Sequence, residues 1–483
     1  MNKKNTADPR GAIPIVVFQR VRRHVRAAST TSMQILLLLL LLLNGVRADF
    51  DAPRYDLDLD APAKERWKVP MLEQIAKHGW ENSYGPIFTF INGVFPSAMW
   101  HQYDDLLRSV AEPIIGHEFV EELAGIVEVA QAIGQNVTMS ELEFFQIFYE
   151  ILMQCTGVLA LNDHDELIHG RNMDIGLPVE NITMQVAWQK GGKTVFTSTQ
   201  FLGYVGVHTG MRHDGWSVQA NERVVLAAGP EGYELAILLQ TALAFAEGHE
   251  PVGKFLRRVL LESPMLADAL PALKSTPLAS PMYIITGGLS NGVVITRDRD
   301  GLAQKSQDTS VFGEQPIPPG AQLVNLSKSE PTPEKWWVVQ TNWDPWIEES
   351  HASCDVQMKK MTAQEEEACE AYIKKTYGDG GQCSDLCQLY SDGRAEAGRA
   401  SMSSGVVKRN SGQMEIDIFD SVMSIPPVLA GGTKFTSIMS ASHNIYETMV
   451  RESSSNSSDA VPSEAVAKAL RFFIRALANI PGL

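Results

Sequence analysis

Gln154 to Asp174 reads "QCTGVLALNDHDELIHGRNMD", and its Cys155 is the only cysteine in the first 353 residues. The character of the chain changes here. Upstream, from roughly Asp104 to Gln154, the pattern is helical. Its last part, "SELEFFQIFYEILMQ", offers Ser140 as an N-cap and carries apolar residues on most faces, as a buried helix does. Downstream, "TGVLALN", "ELIHGRN", "MQVAWQK", "KTVFTSTQFLGYVG" and "GWSVQANE" are short, rich in Val, Thr and aromatics, and punctuated by Gly or Asn. That composition predicts a meander of antiparallel strands. Helical patterns return between Glu234 and Leu273, and "PMYIITGG", "NGVVITRD" and "KWWVVQTN" supply three further strands. Strands, helices, then strands again predict a layered α/β protein with antiparallel sheets rather than a doubly wound parallel one.

The compartment governs how each thiol is understood. Ile35 to Leu43 is an apolar run far short of the ~20 residues a membrane-spanning helix needs, and Arg20, Arg22, Arg23 and Arg26 precede it. This is the pattern of a secretory signal over residues 1–48. Val46-Arg47-Ala48 suits cleavage before Asp49, and Met33 offers an alternative start. Removing residues 1–48, with eight basic residues and one acidic, takes the formal charge from −16 to −23. So acidic a chain excludes nucleic acid as a partner and fits an acidic compartment, where carboxylates begin to protonate. Sequons at Asn136, Asn181, Asn325 and Asn456 agree with a lysosomal or secreted destination. About 435 residues remain, 44% of the whole chain being hydrophobic, which is enough for a large core, and no internal repeat is present.

A cysteine on a buried strand is commonly a small hydrophobe. Two neighbours argue otherwise here. Arg171 could hold a thiolate and lower its pKa, and Asp174 could anchor a positive charge nearby. A papain-type site would require a histidine base. The nearby candidates, His164 and His169, sit on or near a turn without a matching signature. A cut immediately before Cys155 supplies a different base, an α-amine of unperturbed pKa ~7.7 on the nucleophile's own residue.

The stretches "CTGVLALNDHDELIHGRNMDIG", "TVFTSTQFLGYVGVHTG", "NER", "YIITGG", "GVVITRDRDG" and "VVQTNWDPW" resemble the acid ceramidase and N-acylethanolamine-hydrolysing acid amidase family. That family is a branch of the choloylglycine-hydrolase-like N-terminal nucleophile hydrolases. The resemblance covers roughly Tyr55 to Trp346 and resumes near "MEIDIFDSVMSIPPV". "IFYEILMQC", "HGRNMD" and "QTNWDPW" are closer to the ceramidase branch. It implies a four-layer αββα sandwich and a proenzyme that cuts itself into a helical α chain, 49–154, and a β chain, 155–483, which stay together as a heterodimer. The implied reaction is hydrolysis of a lipid amide without a metal or other cofactor. Cys155 would be the nucleophile and its freed amine the base, with Asp174 orienting the amine and Arg171 steadying the thiolate. Asn342 would donate to the oxyanion, and Asn221 and Glu222 would complete the polar floor on which substrate binds.

Two departures stand out. Gly157 replaces the serine that the family places two residues after the nucleophile. Lys359 and Lys360 stand where it carries an arginine pair, and a point charge does not replace a planar fork. Residues 364–405 match nothing in the family and form a surface insertion. Its Cys369, Cys383 and Cys387 lack the second close Cys or His pair of a zinc site, so disulfides are expected. With Cys354 they allow three pairings, of which Cys383 with Cys387 and Cys354 with Cys369 is preferred. After the Ser-rich linker Ser453 to Asp459, residues 460–483 form a basic amphipathic helix. Val466, Leu470, Phe473 and Leu477 lie on one face and Lys468, Arg471 and Arg475 on another. Such a helix either docks on the protein's own surface or lies transiently on anionic membrane.

Overall fold

The computed structural model of the chain describes residues 49–94, 96–147, 154–162, 164–175, 177–223, 240–241, 243–306, 317–326, 337–342, 344, 423 and 433–451. The secretory signal, Lys359 and Lys360, the 364–405 insertion, the four later cysteines, Asn456 and the 460–483 helix lie outside the described residues.

The chain enters through two strands, β1 (Phe50–Asp51) and β2 (Arg54–Asp58). Helices α1 (Lys68–His78), α2 (Trp80–Ser83), α3 (Gly85–Val94), α4 (Ser97–Ile115), α5 (His117–Ala132) and α6 (Met139–Ile147) follow. Next come β3 (Gln154–Leu161), β4 (Leu167–Asp174), β5 (Thr183–Lys190), β6 (Lys193–Phe201), β7 (Thr209–Arg212) and β8 (Trp216–Glu222). Helices α7 (Val252–Glu262) and α8 (Leu266–Ser275) precede β9 (Met282–Gly287), β10 (Gly292–Arg297), β11 (Leu323–Leu326), β12 (Trp337–Gln340), β13 (Thr433–Ser440) and β14 (Ile445–Val450).

Among the described residues these strands make two sheets. One runs β1-β14-β13-β4-β3-β12, and the other runs β11-β10-β9-β8-β7-β6-β5-β2. From β5 to β11 the second sheet is an uninterrupted antiparallel meander, as the spacing of strand-like runs predicts. The parallel exception is β2 on β5, at the sheet's edge.

Alternation along each strand sorts side chains to two buried faces. On β8, Trp216, Val218 and Ala220 join the main apolar core, while Ser217 and Gln219 meet His169 of the other sheet. On β9, Met282 and Ile284 point to the main core. Ile285 packs between the sheets with Leu159, Leu161 and Leu167. The helices of residues 68–147, with α7 and α8, cover the outer face of the eight-stranded sheet. There Trp188 of β5 stacks on Phe196, meets Trp67 edge-on and lies 4.3 Å under the Arg257 guanidinium. Helices over one sheet, and that sheet over another, give the expected α/β sandwich among the described residues. None of the described helices is long and apolar enough to cross a membrane.

Two expectations change in detail. The N-terminal segment is helical only after Asp58, because its first residues extend the edges of both sheets, β1 on β14 and β2 on β5. The N-cap of α6 is Thr138 rather than Ser140. Thr138 Oγ1 accepts from the Glu141 amide at 3.3 Å, while a Glu141 carboxylate oxygen accepts from the Thr138 amide at 2.7 Å. That is a reciprocal capping box, and it outcompetes Ser140, whose amide is already donated to Asp104 at 3.0 Å.

Candidate active site

β3 and β4 are neighbours in register, with Cys155 opposite Met173, Gly157 opposite Arg171 and Gln154 opposite Asp174. Side chains at 155, 157, 169, 171 and 173 therefore share the face that looks onto β8. Cys155 and Arg171 are both 0% exposed. A guanidinium so deeply buried must meet acceptors. Arg171 Nη1 donates to the Ala220 carbonyl at 2.8 Å and to Asn221 Oδ1 at 3.2 Å. Its Nη2 lies 3.0 Å from Cys155 Sγ and 3.1 Å from Met173 Sδ. A fixed cation at hydrogen-bond distance from a thiol favours the thiolate.

Asn342 follows β12, which pairs with β3 on the side opposite β4. Its Oδ1 accepts from the Cys155 amide nitrogen at 2.7 Å, and its Nδ2 donates to the Glu222 carbonyl at 2.7 Å. Asn342 thus ties the backbone nitrogen of Cys155 to the end of β8. Asn221 Nδ2 faces the carbonyls of Gln340 (3.1 Å), Thr341 (3.3 Å) and Cys155 (3.4 Å), knitting β12 and β3 to the other sheet. Glu222 meets Asn342 through its backbone carbonyl, and its side chain is buried. Asp174 is buried beside the Gln154–Cys155 peptide, and its carboxylate accepts from Thr433 Oγ1 on β13. Of the six residues singled out in the sequence, Cys155, Arg171, Asn221 and Asn342, with the Glu222 carbonyl, are joined by hydrogen bonds between the two sheets, while Asp174 lies across from Gln154 in register and turns its carboxylate to Thr433.

The histidines do not join them as bases. His164 is exposed in the β3–β4 turn. His169 is 0% exposed, and its two ring nitrogens face Ser217 Oγ and Gln219 Oε1, each at 2.9 Å, rather than the sulfur. Burial, only partly offset by the Gln219 hydrogen bond and reinforced by the Arg171 charge, holds its pKa down at about 3.

A buried support was missed in the sequence. Arg223, next to Glu222, donates to both carboxylate oxygens of Asp344 at 2.7 and 2.8 Å and to Asp298 at 2.6 Å; Tyr283 also donates to Asp344 at 2.7 Å. Burial pushes Arg223 down, but the Asp344 hydrogen bond and charge outweigh it and raise the pKa. The Arg223–Asp344 pair brackets the Glu222–Asn342 contact from one residue after Glu222 and two after Asn342. The "NER" and "NWD" strings carried that signal, since each puts a charge of opposite sign beside a site asparagine.

No family model matches the chain. The acid ceramidase of Bos taurus is 30% identical over 318 residues, spanning 61% of this chain and 70% of that protein. The N-acylethanolamine-hydrolyzing acid amidase of Rattus norvegicus is 28% identical over 304 residues, 61% of this chain and 71% of its own length. Among solved structures, a Caenorhabditis elegans ortholog of that amidase aligns over 62% of this chain and all of its own with 23% identity and a TM-score of 0.41. By its 30% identity to an acid ceramidase over 70% of that protein's length, the chain belongs to the acid ceramidase family of amidohydrolases.

Proposed function

We propose that this member is a lysosomal or secreted lipid amidase that cleaves itself before Cys155 and then hydrolyses ceramide to a fatty acid and sphingosine. The observation that carries the reading is the double hold on one residue: Arg171 on the Cys155 sulfur at 3.0 Å and Asn342 on its nitrogen at 2.7 Å. In the uncut chain that nitrogen belongs to the Gln154–Cys155 peptide. Attack of Sγ on the Gln154 carbonyl shifts the acyl group from nitrogen to sulfur. Water then releases the Gln154 carboxylate and leaves a free thiol and a free α-amine on Cys155.

In the mature site the amine takes the thiol proton as Sγ attacks the amide carbon of the lipid. Asn342 serves both partners, holding the amine through Oδ1 and offering an amide N–H to the oxyanion, a donor worth about 3 kcal/mol in such sites. The amine then protonates the departing sphingoid nitrogen, leaving the acyl chain as a thioester on Cys155, and water completes hydrolysis. Asp174 orients the amine, Arg171 favours the thiolate, and Asn221 with Glu222 fixes the floor. The α and β chains act as one heterodimer, and the 460–483 helix brings it transiently onto anionic membrane. The exposed sequons Asn136 and Asn325 fit passage through the secretory route.

The test is product analysis. Purified protein incubated at mildly acidic pH should yield a β chain beginning at Cys155 and release sphingosine from ceramide, while Cys155→Ala stays whole and inactive. Ethanolamine release from N-acylethanolamines in preference to sphingosine would move the assignment to the other branch, which the 28% identity to the amidase supports as the second reading. Clean processing with turnover of neither lipid would make the protein a lipid-binding relative instead.

A further inference from the structure

β3 is a central strand, and Gly157 lies in its middle, two residues after the nucleophile and on the same face. A glycine there weakens a strand unless something approaches too closely for a side chain. A Cβ on Gly157 would come within 2.6 Å of Gln219 Nε2 and 2.6 Å of Ile285 Cδ1. Gln219, on the facing β8, is 0% exposed and fills the space.

Its amide cannot swing aside without breaking a directed chain of hydrogen bonds. Asn221 Nδ2 faces only carbonyls in its contacts with Cys155, Gln340 and Thr341, so its Oδ1 is the acceptor for Arg171 Nη1 at 3.2 Å and Gln219 Nε2 at 2.7 Å. With Nε2 so engaged, Gln219 Oε1 faces His169 Nε2 at 2.9 Å, and that nitrogen must carry the ring proton. His169 Nδ1 is then an acceptor, satisfied by the Ser217 hydroxyl at 2.9 Å. The neutral ring this requires is the form burial enforces, so the chain keeps its direction in an acidic compartment.

We propose that Gly157 and Gln219 are a matched pair, and that Gln219 is a positioning residue which, from the space Gly157 leaves open, holds Asn221 and through it the Arg171 guanidinium on the Cys155 sulfur. The kinetic arm of its test rests on the amidase reading; the arm that decides it does not. Gln219→Met keeps the volume and removes both ends of the amide; Gly157→Ser adds a side chain into the occupied space; Gly157→Ser with Gln219→Ala adds and removes comparable bulk. On full-length protein, the pH dependence of iodoacetamide alkylation at Cys155, followed by mass spectrometry of its peptide, reports thiol ionisation without any substrate.

The alkylation midpoint should rise by about one pH unit in Gln219→Met and in Gly157→Ser, as a loosened cation implies. In the double variant, thermal stability and processing should recover above the Gly157→Ser level, with the high midpoint retained. In the amidase assay, kcat for Gln219→Met should fall about tenfold with KM unchanged, since one pH unit is a factor of ten. An unchanged midpoint in folded Gln219→Met sinks the proposal, as does a double variant whose losses simply add. If Gln219→Met does not fold, Gly157→Ala, the smallest intrusion, carries the same midpoint criterion. Absence of lipid turnover by the unmodified protein would count against the amidase reading alone, because the midpoints are measured without substrate.

Discussion

At the residue scale the decisive feature is a guanidinium that water cannot reach, aimed at a sulfur. Arg171 spends its donors on a carbonyl, an amide oxygen and two sulfurs, an arrangement that needs a planar fork with two separate nitrogens. Arg171→Lys keeps the charge and loses the fork. It is expected to slow both self-cleavage and lipid hydrolysis by about 100-fold, a loss comparable to one misplaced transition-state contact. N-terminal sequencing over time and product release measure the two rates, and near-normal values for both would mean that charge alone suffices. A second expectation concerns the missed pair beneath Asn342. Asp344→Asn leaves Arg223 buried with only Asp298 as its ionic partner, which should cost about 3 kcal/mol of stability and lower activity by loosening Asn342. Cys155, Arg171 and Asp174 stood out in the sequence by their atom types and close spacing, and Asn342 through the family resemblance; the structure brings Cys155, Arg171 and Asn342 within hydrogen-bond distance of one another's partners. Gln219 and Ser217, the partners of His169, were not legible, because period-two alternation says which residues share a face but not which face of a distant strand they meet. Gly157 was legible as a lost hydroxyl, yet the structure has a glutamine amide from 62 positions away standing in that space.

Among the elements, α6 shows what buried helices conceal. Its run of apolar residues predicted burial on most faces, and Met139 to Gln146 are indeed all buried, including Glu141 and Glu143. Burial, with Glu112 and Asp104 adding repulsion and Arg108 opposing it, raises Glu143 to about 8 from an ordinary 4.5. Between those two values the folded protein holds a proton that the unfolded chain releases, so stability falls as pH rises through the window. Below 4.5 both states are protonated and the effect is fully favourable to folding. Glu143→Gln is therefore expected to raise the melting temperature by a few degrees at pH 8 and to change it little at pH 4.5. A shift of equal size at both pH values would assign the effect to packing. The position of α6, just before the expected cut, makes processing rate at pH 7 a useful companion measurement. The strands left unassigned by the sequence have a common cause. β13 reads "TKFTSIMS", and its inward side chains join Thr199, Thr448 and Tyr446 in a cluster of hydroxyls between the sheets, including Ser437 to Thr199 at 3.0 Å. A core built partly of hydroxyl pairs carries no hydrophobic alternation to read. β1, an edge strand of two residues, is too short for any periodic signal, whereas β2 does alternate, with Tyr55 and Leu57 between charged residues.

For the whole molecule, the question is what would keep the two segments together if, as proposed, the peptide before Cys155 is cut. The first segment contributes a strand to the edge of each sheet, with Asp49 bound to Arg451 at 2.8 Å beside β1, so its start is woven into strands that follow residue 155. Its helices add one charged clasp. Glu122 of α5 is 0% exposed and accepts from Arg66 at 2.7 Å and Trp67 Nε1 at 2.7 Å on its own side, and from Arg257 of α7 at 2.6 and 2.9 Å across the divide. Arg257 is itself sandwiched, 4.7 Å from the Phe119 ring centroid of the first segment and 4.3 Å from that of Trp188 in the second. A buried carboxylate serving two guanidinium groups is costly to assemble but costlier to break, since its loss leaves Arg66 and Arg257 with the exposed Glu118 as their remaining ionic partner. Processed protein should accordingly elute as one species and separate only on unfolding. Glu122→Ala is expected to destabilise by about 3–5 kcal/mol, so that the processed chains part in dilute urea while the uncut precursor, with its covalent link, tolerates more. Glu122→Gln, which keeps the shape and half the acceptors, should fall between. Size-exclusion chromatography across a urea series, run on processed protein and on the uncut Cys155→Ala form, separates these cases. Coincident loss of both forms at one urea concentration would show that the clasp stabilises the fold as a whole and that strand exchange at the sheet edges alone joins the chains.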